Sequence, residues 1–186
     1  SLGGHVALRA ATEAHLSERV AAAAAISAPL DLTLGSAALD RAGSWIYRKY
    51  LLAHLKEIYA PIAARRPELT PFEAVQEIDT LRAWDRAVVA PRHGFRDEFD
   101  YYESVSVGPR LRDLRRPALW VHARHDPMVP PETVMPSVTR TAPNLEVRWL
   151  ERGGHCGFPE PVDLGLGIEA PRTIERQVIG WLMSRG

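Results

Sequence analysis

The chain has 186 residues, 46% of them hydrophobic and 25% charged, a profile that suits one soluble domain able to bury a real core. Its 23 Lys plus Arg balance its 23 Asp plus Glu. That argues against nucleic acid as the main partner, because phosphate binding needs a basic surface. Cys156 is the single cysteine, so no intrachain disulfide is possible; a reducing compartment is the easier reading and a cytoplasmic location the expectation. The longest apolar run, Val20 to Ile26, falls far short of the roughly 20 residues of a membrane span.

In chain order, residues 4–16 read as a helix, with Val6, Ala10 and Leu16 near one face and Ala7, Leu8 and Ala11 beside them. Ala21 to Ser27 reads as a buried strand, although its five consecutive alanines would equally suit a helix; Pro29-Leu30-Asp31-Leu32 breaks it. Residues 36–64 are expected as one helix, Trp45, Ile46, Tyr50, Leu51, Leu52, Leu55, Ile58 and Tyr59 forming a wide apolar stripe. That stripe suits either a packed helix or a cap over an acyl pocket. Pro67 and Pro71 punctuate, and Thr70 is a candidate N-cap for a helix over 71–84. Residues 85–96, with Pro91, His93 and Gly94, are expected as a loop, and Asp97 to Ser106 as a short helix.

The last third alternates strand and helix. Pro117 to His122 is continuously apolar, residues 131–139 read as a helix, and Leu145 to Leu150 alternates as a strand nearer a sheet edge. A closing helix is expected over 168–184. Strand, helix, strand, helix with short connections predicts a parallel α/β sheet.

Chemistry concentrates at three places. The chain opens Ser1-Leu2-Gly3-Gly4, the back half of a G-x-S-x-G nucleophile elbow running into its helix. A serine there sits at a helix N-terminus, which favours developing negative charge, and the Leu2 backbone N–H is a candidate oxyanion donor. An elbow serine is fed by a strand, so the sequence is expected to be the C-terminal part of something longer. The first late strand is followed by Arg124-His125-Asp126-Pro127, the second by Gly153-Gly154-His155-Cys156-Gly157. Sites in open α/β sheets lie at the carboxyl ends of strands, so Asp126 and His155 are expected on the same sheet edge as Ser1. A serine hydroxyl needs an imidazole to take its proton, and the imidazole needs a carboxylate to fix its tautomer. The order Ser1, Asp126, His155 is the one α/β-hydrolases use. Gly153, Gly154 and Gly157 would leave room for the histidine loop to approach.

These motifs resemble the α/β-hydrolase superfamily, and specifically its YheT-like branch. The resemblance rests on the Ser1–Gly4 elbow, Ser27-Ala28-Pro29-Leu30-Asp31, the Tyr47 to Lys56 helix and the two late loops. Its branch-specific part is Pro91-Arg92-His93-Gly94-Phe95-Arg96-Asp97 with Tyr101-Tyr102. It implies a partial α/β-hydrolase fold: late parallel strands with flanking helices and a cap-like helical insertion over about 36–106, the N-terminal half of the sheet being absent from residues 1–186. Strand Ala21–Ser27 would then expose an edge normally paired, an aggregation liability. The resemblance also implies carboxylic-ester hydrolysis, with Ser1 as nucleophile, Asp126 as acid and His155 as base. A small-molecule or lipid ester is the substrate class, with no metal or organic cofactor. His93, Phe95, Asp97, Tyr101 and Tyr102 would shape the pocket or serve as scaffold. His5 stands where the branch often has Asn. The family's first strands and its oxyanion loop have no counterpart here, so the chain alone is expected to be weak or inactive.

Rival readings differ in class. An N-terminal nucleophile hydrolase would use the Ser1 amine as base, but there the nucleophile opens a strand. A non-catalytic α/β-hydrolase-fold module binding a hydrophobic ligand would suit the neutral charge. A metal set of His122, His125, Asp126 and His155 is disfavoured, because residues three apart on a strand end point to opposite faces. Cys156, beside the base, is either an inert loop residue or an oxidation-sensitive one.

Overall fold

The computed structural model describes residues 1–66, 68–139 and 142–186. Pro67, expected as a break, lies outside them. In chain order the elements are α1 (Leu2–Ala11), β1 (Ala23–Ile26), α2 (Leu32–Leu39), α3 (Trp45–Arg65), α4 (Phe72–Gln76), α5 (Leu81–Trp84), a π-helical turn (Asp85–Val89) and α6 (Ala90–His93). Then follow α7 (Glu98–Val105), β2 (Ala118–Ala123), α8 (Pro131–Val138), β3 (Leu145–Leu150) and α9 (Ile174–Met183). Two compact units result, one of Ser1–Asp31 with Ser106–Gly186 and one of Leu32–Val105. Among the described residues no helix is long and apolar enough to cross a membrane.

The first unit is built on a parallel sheet in the order β1-β2-β3. Ala23 pairs with Ala118, and Ala118 with Leu145. Every residue of β2 is buried, His122 included, as its otherwise apolar run requires of a central strand, while β3 at the edge is half-buried throughout. Successive side chains point to opposite faces. Ala118 and Trp120 therefore join Leu8, Ala25 and Leu111 in one core, and Leu119 and Val121 join Ile174, Val178 and Trp181 in the other.

The alanines of β1 bring α1 close. A Cβ on Gly4 would lie 2.9 Å from Ala25 Cβ and 3.1 Å from Ala28 Cβ, so this position of the helix needs a glycine. The helix is shorter than expected: it ends at Ala11, where the Thr12 hydroxyl donates to the Arg9 carbonyl at 2.7 Å. The buried face is His5, Leu8 and Ala11, and Val6 is exposed.

The closing helix also starts late. Residues 168–173 lie outside it, because Thr173 forms the N-cap, its hydroxyl accepting from the Arg176 N–H at 3.3 Å. Buried Gln177 then ties the preceding loop to the helix, donating to Val162 O at 2.5 Å and accepting from Leu164 N–H at 2.8 Å.

The second unit departs most from expectation. The helix expected over 36–64 is two helices, broken between Leu39 and Trp45. Asp40 at the break accepts the N–H groups of Leu81 (2.8 Å) and Arg82 (3.2 Å), capping α5 from a distance. Only part of the α3 stripe is covered within the unit. Leu52 and Tyr59 are buried with Val75, Trp84 and Val88, whereas Trp45, Ile46, Tyr50 and Ile58 are 53–63% exposed.

The expected 85–96 loop is instead helical as far as His93. Pro91 sits in the first turn of α6, where a missing N–H is tolerated. The carbonyl four residues before it, Ala87 O, is freed and accepts the Thr70 hydroxyl at 2.5 Å. Thr70 is therefore no N-cap for 71–84; Pro71 occupies that place, and the helix expected there is split into α4 and α5.

Candidate active site

The site is built at the carboxyl ends of β2 and β3. Ala123 ends β2, and the chain turns through Arg124–Asp126 before α8 carries it to the neighbouring β3. Asp126 is buried, and its Oδ1 accepts the N–H groups of Met128 and Val129, each at 2.9 Å. Its Oδ2 lies 2.9 Å from His155 Nδ1. A carboxylate only accepts, so His155 donates from Nδ1 and its Nε2 lone pair is left available. Burial alone would push the Asp126 carboxyl up. The hydrogen bond from His155, the Val129 and Met128 N–H groups and the His155 charge outweigh it, and the group sits below the ordinary carboxylate range.

The histidine loop is shaped by one glycine in particular. Gly153 has φ +135°, and a Cβ there would meet the Phe158 ring at 2.8 Å. Gly154 donates to Gly157 O at 2.8 Å, closing a turn with His155 and Cys156 at its tip. Gly154 and Gly157 have open space around them, so their lack of side chains is not what makes the fit. Cys156 is an exposed thiol. The exposed pair Arg124 and Glu151, Nε to Oε1 2.6 Å, links the two loops, and Arg124 also lies over Trp149 at 5.2 Å.

Ser1 precedes α1 at its N-cap. Its nitrogen donates to Ile26 O at 2.5 Å, which fixes it at the carboxyl end of β1. The Ser1 hydroxyl and the His155 imidazole are not hydrogen-bonded to each other among the described residues. Leu2 N–H occupies the first helical position, where helix geometry leaves it without an intrahelical acceptor. His5, on the buried face of α1, donates from Nδ1 to Pro29 O at 2.8 Å and ties the helix to the turn after β1.

The stretch from His93 to Tyr102 has structural tasks inside the second unit. Gly94 closes α6 in the left-handed conformation at φ +76°, and the Phe95 ring packs 5.3 Å from Tyr101. Asp97 Oδ1 accepts the N–H groups of Phe99 and Asp100 at 2.9 Å, and Tyr102 donates to Asp85 at 2.5 Å. His93 is exposed.

Sequence reasoning passed over His122 except as a metal ligand. It is fully buried and lies 3.9 Å from Asp126 through Nε2. The signal available was a polar residue within an otherwise apolar strand four residues before the acid.

Residues 1–164 match the family model described as "Alpha/beta hydrolase family". The protein of Escherichia coli (strain K12) named "Putative esterase YheT" is 32% identical over 166 residues, 88% of this chain and 47% of that protein. "Phospholipase ABHD3" of Mus musculus is 25% identical over 163 residues, 87% of this chain and 40% of that protein. Among solved structures, the 2,6-dihydroxy-pseudo-oxynicotine hydrolase aligns at TM-score 0.46 with 20% identity, over 83% of this chain and 32% of that one. The chain thus spans less than half the length of these two curated relatives. With the parallel sheet and the family match in agreement, the chain belongs to the α/β-hydrolase family, in its YheT-like branch.

Proposed function

We propose that the chain carries the catalytic side chains of a serine hydrolase acting on carboxylic esters, with Ser1 as nucleophile, His155 as base and Asp126 as the acid that orients it. The observation that supports this most is the 2.9 Å contact between His155 Nδ1 and buried Asp126, at the end of the sheet where Ser1 begins α1. Relatives named as an esterase and a phospholipase favour ester substrates, lipid esters among them.

In this mechanism His155 Nε2 takes the Ser1 hydroxyl proton as Oγ attacks the ester carbonyl. The oxyanion is met by Leu2 N–H and the N-terminal end of α1. Collapse breaks the ester C–O bond, and the departing alcohol takes the proton from His155. Water then attacks the acyl-serine, giving its proton to His155, which returns it to Ser1 as the carboxylic acid leaves. Asp126 stays ionised throughout and stabilises the imidazolium.

The test is labelling with a fluorophosphonate, the modified peptide being located by mass, with His155→Ala as control. The expected result is label on the peptide containing Ser1 that is lost in the control. Label on another residue, or equal labelling of Ser1 in His155→Ala, overturns the assignment.

A further inference from the structure

His122 is a costly residue to bury where it stands. Its ring stacks on Trp120 at 4.7 Å and 9°, and meets Trp149 edge-on at 5.4 Å and 90°. Nε2 lies 2.8 Å from Val129 O. A carbonyl only accepts, so Nε2 carries the proton and Nδ1 holds a bare lone pair. That Nδ1 is buried with no hydrogen-bond partner among the described residues. A phenylalanine would fill a slot between two tryptophans without an orphaned acceptor. Packing alone does not explain a histidine here.

What the ring adds is the bond to Val129, and Val129 is held at both ends. Its N–H is donated to Asp126 Oδ1 at 2.9 Å, and its carbonyl is taken by His122. A chain of contacts therefore runs from the β2 strand end through Val129 to Asp126 and on to His155. We propose that His122 is a positioning residue for Asp126: its Nε2–H anchors the Val129 carbonyl and so holds the 124–130 loop where Asp126 Oδ2 faces His155. Burial lowers the ring's affinity for a second proton, which keeps it a single donor aimed at one carbonyl. This role rests on reading Asp126 and His155 as acid and base.

The test compares the wild type with His122→Phe, which keeps the stacking and removes the donor, and with His122→Gln, whose amide N–H restores a donor toward Val129. Three quantities are read: kcat and KM for a p-nitrophenyl ester, the melting temperature, and the downfield proton resonance of His155 Nδ1–H. His122→Phe is expected to keep its KM and its fold with a melting temperature lowered by no more than a few degrees, for the unpaired Val129 carbonyl, to lose kcat by about 10–100-fold through misplacement of the acid, and to lose the resonance. His122→Gln is expected to retain the resonance and most of kcat. Should His122→Phe fail to fold, His122→Met supplies the non-donor variant. Unchanged kcat and resonance in the non-donor variant, or equal losses in His122→Gln, overturn the proposal. If the wild type turns over no ester, kcat has no bearing on the proposal and the resonance alone decides whether His122 positions Asp126.

Discussion

Asp126→Asn separates the acid's chemical role from its structural one. Asn retains an Oδ1 that accepts from Met128 and Val129 N–H, so the loop keeps its two main-chain bonds. What changes is the atom facing His155 Nδ1, where Asp126 Oδ2 now accepts at 2.9 Å. If the amide NH2 takes that place, a donor meets a donor, and the imidazole turns over to the tautomer with its proton on Nε2, useless as a base toward Ser1. Such a tautomer error costs on the order of 10⁴ in rate, equivalent to about 5 kcal/mol of barrier. The structural loss is smaller: exchanging charged for neutral acceptors removes about 1–2 kcal/mol, or a few degrees of melting temperature for a chain of this size. The assay is the second-order rate of fluorophosphonate labelling at Ser1 beside a thermal melt of the same sample. A variant that labels within tenfold of the wild type, or whose lost labelling is matched by lost folding, refutes the reasoning. Stability carries its own signature. The folded carboxyl lies below its ordinary value, so its contribution is present above the unfolded pKa of about 3.9 and is lost as pH falls through the folded value. Asp126→Asn removes that acid-side loss.

Two further outcomes are expected. Burial pushes Asp85 from 3.8 up to about 6, helped by Asp40 and Glu98 and opposed by the Tyr102 hydroxyl. A raised carboxyl gives stability that is present below its unfolded pKa and lost as pH rises through about 6, on the order of 2–3 kcal/mol. Asp85→Asn, which still offers Tyr102 an acceptor, should flatten that part of the profile; parallel urea-denaturation curves for both proteins at pH 5 and pH 8 would refute it. Gly4→Val should destabilise by about 1–3 kcal/mol, because its side chain meets Ala25 and Ala28. Gly3→Ala, with no described atom within 4 Å, should be neutral or slightly stabilising, and chemical denaturation of the pair checks the contrast.

The late strands were legible because their patterns are local. A run apolar from Ala118 to Val121 marked β2 as central, alternation marked β3 as an edge, and the loops after them carried Asp126 and His155 to one end. The 85–96 segment was misread because Pro91, His93 and Gly94 are breakers by local rules. What lets the helix continue is a hydroxyl supplied by Thr70, 91 − 70 = 21 residues away, and no window over the segment contains it. The α3 stripe failed differently. Its apolar residues are spread round the helix with Arg48, Lys49, Lys56 and Glu57 interleaved among them, so the stripe was too wide to single out one buried face, and part of the apolar surface remains uncovered in its own unit. The importance of His122 was hidden because burial and an orphaned nitrogen are properties of three dimensions.

Asp126 and His155 lie in the loops after neighbouring strands of a single strand-helix-strand crossover, 155 − 126 = 29 residues apart, whereas Ser1 is 126 − 1 = 125 residues from Asp126. The entropy of closing these two loops differs, and contacts of long sequence separation are the slow ones to form. Pairing β2 with β3 is enough to bring Asp126 and His155 together, while Ser1 must wait for α1 to settle on β1 and β1 on β2. The Asp126–His155 pair is thus a local product of the chain's last third, and on the proposed reading bringing Ser1 to it depends on the most distant closure of the three.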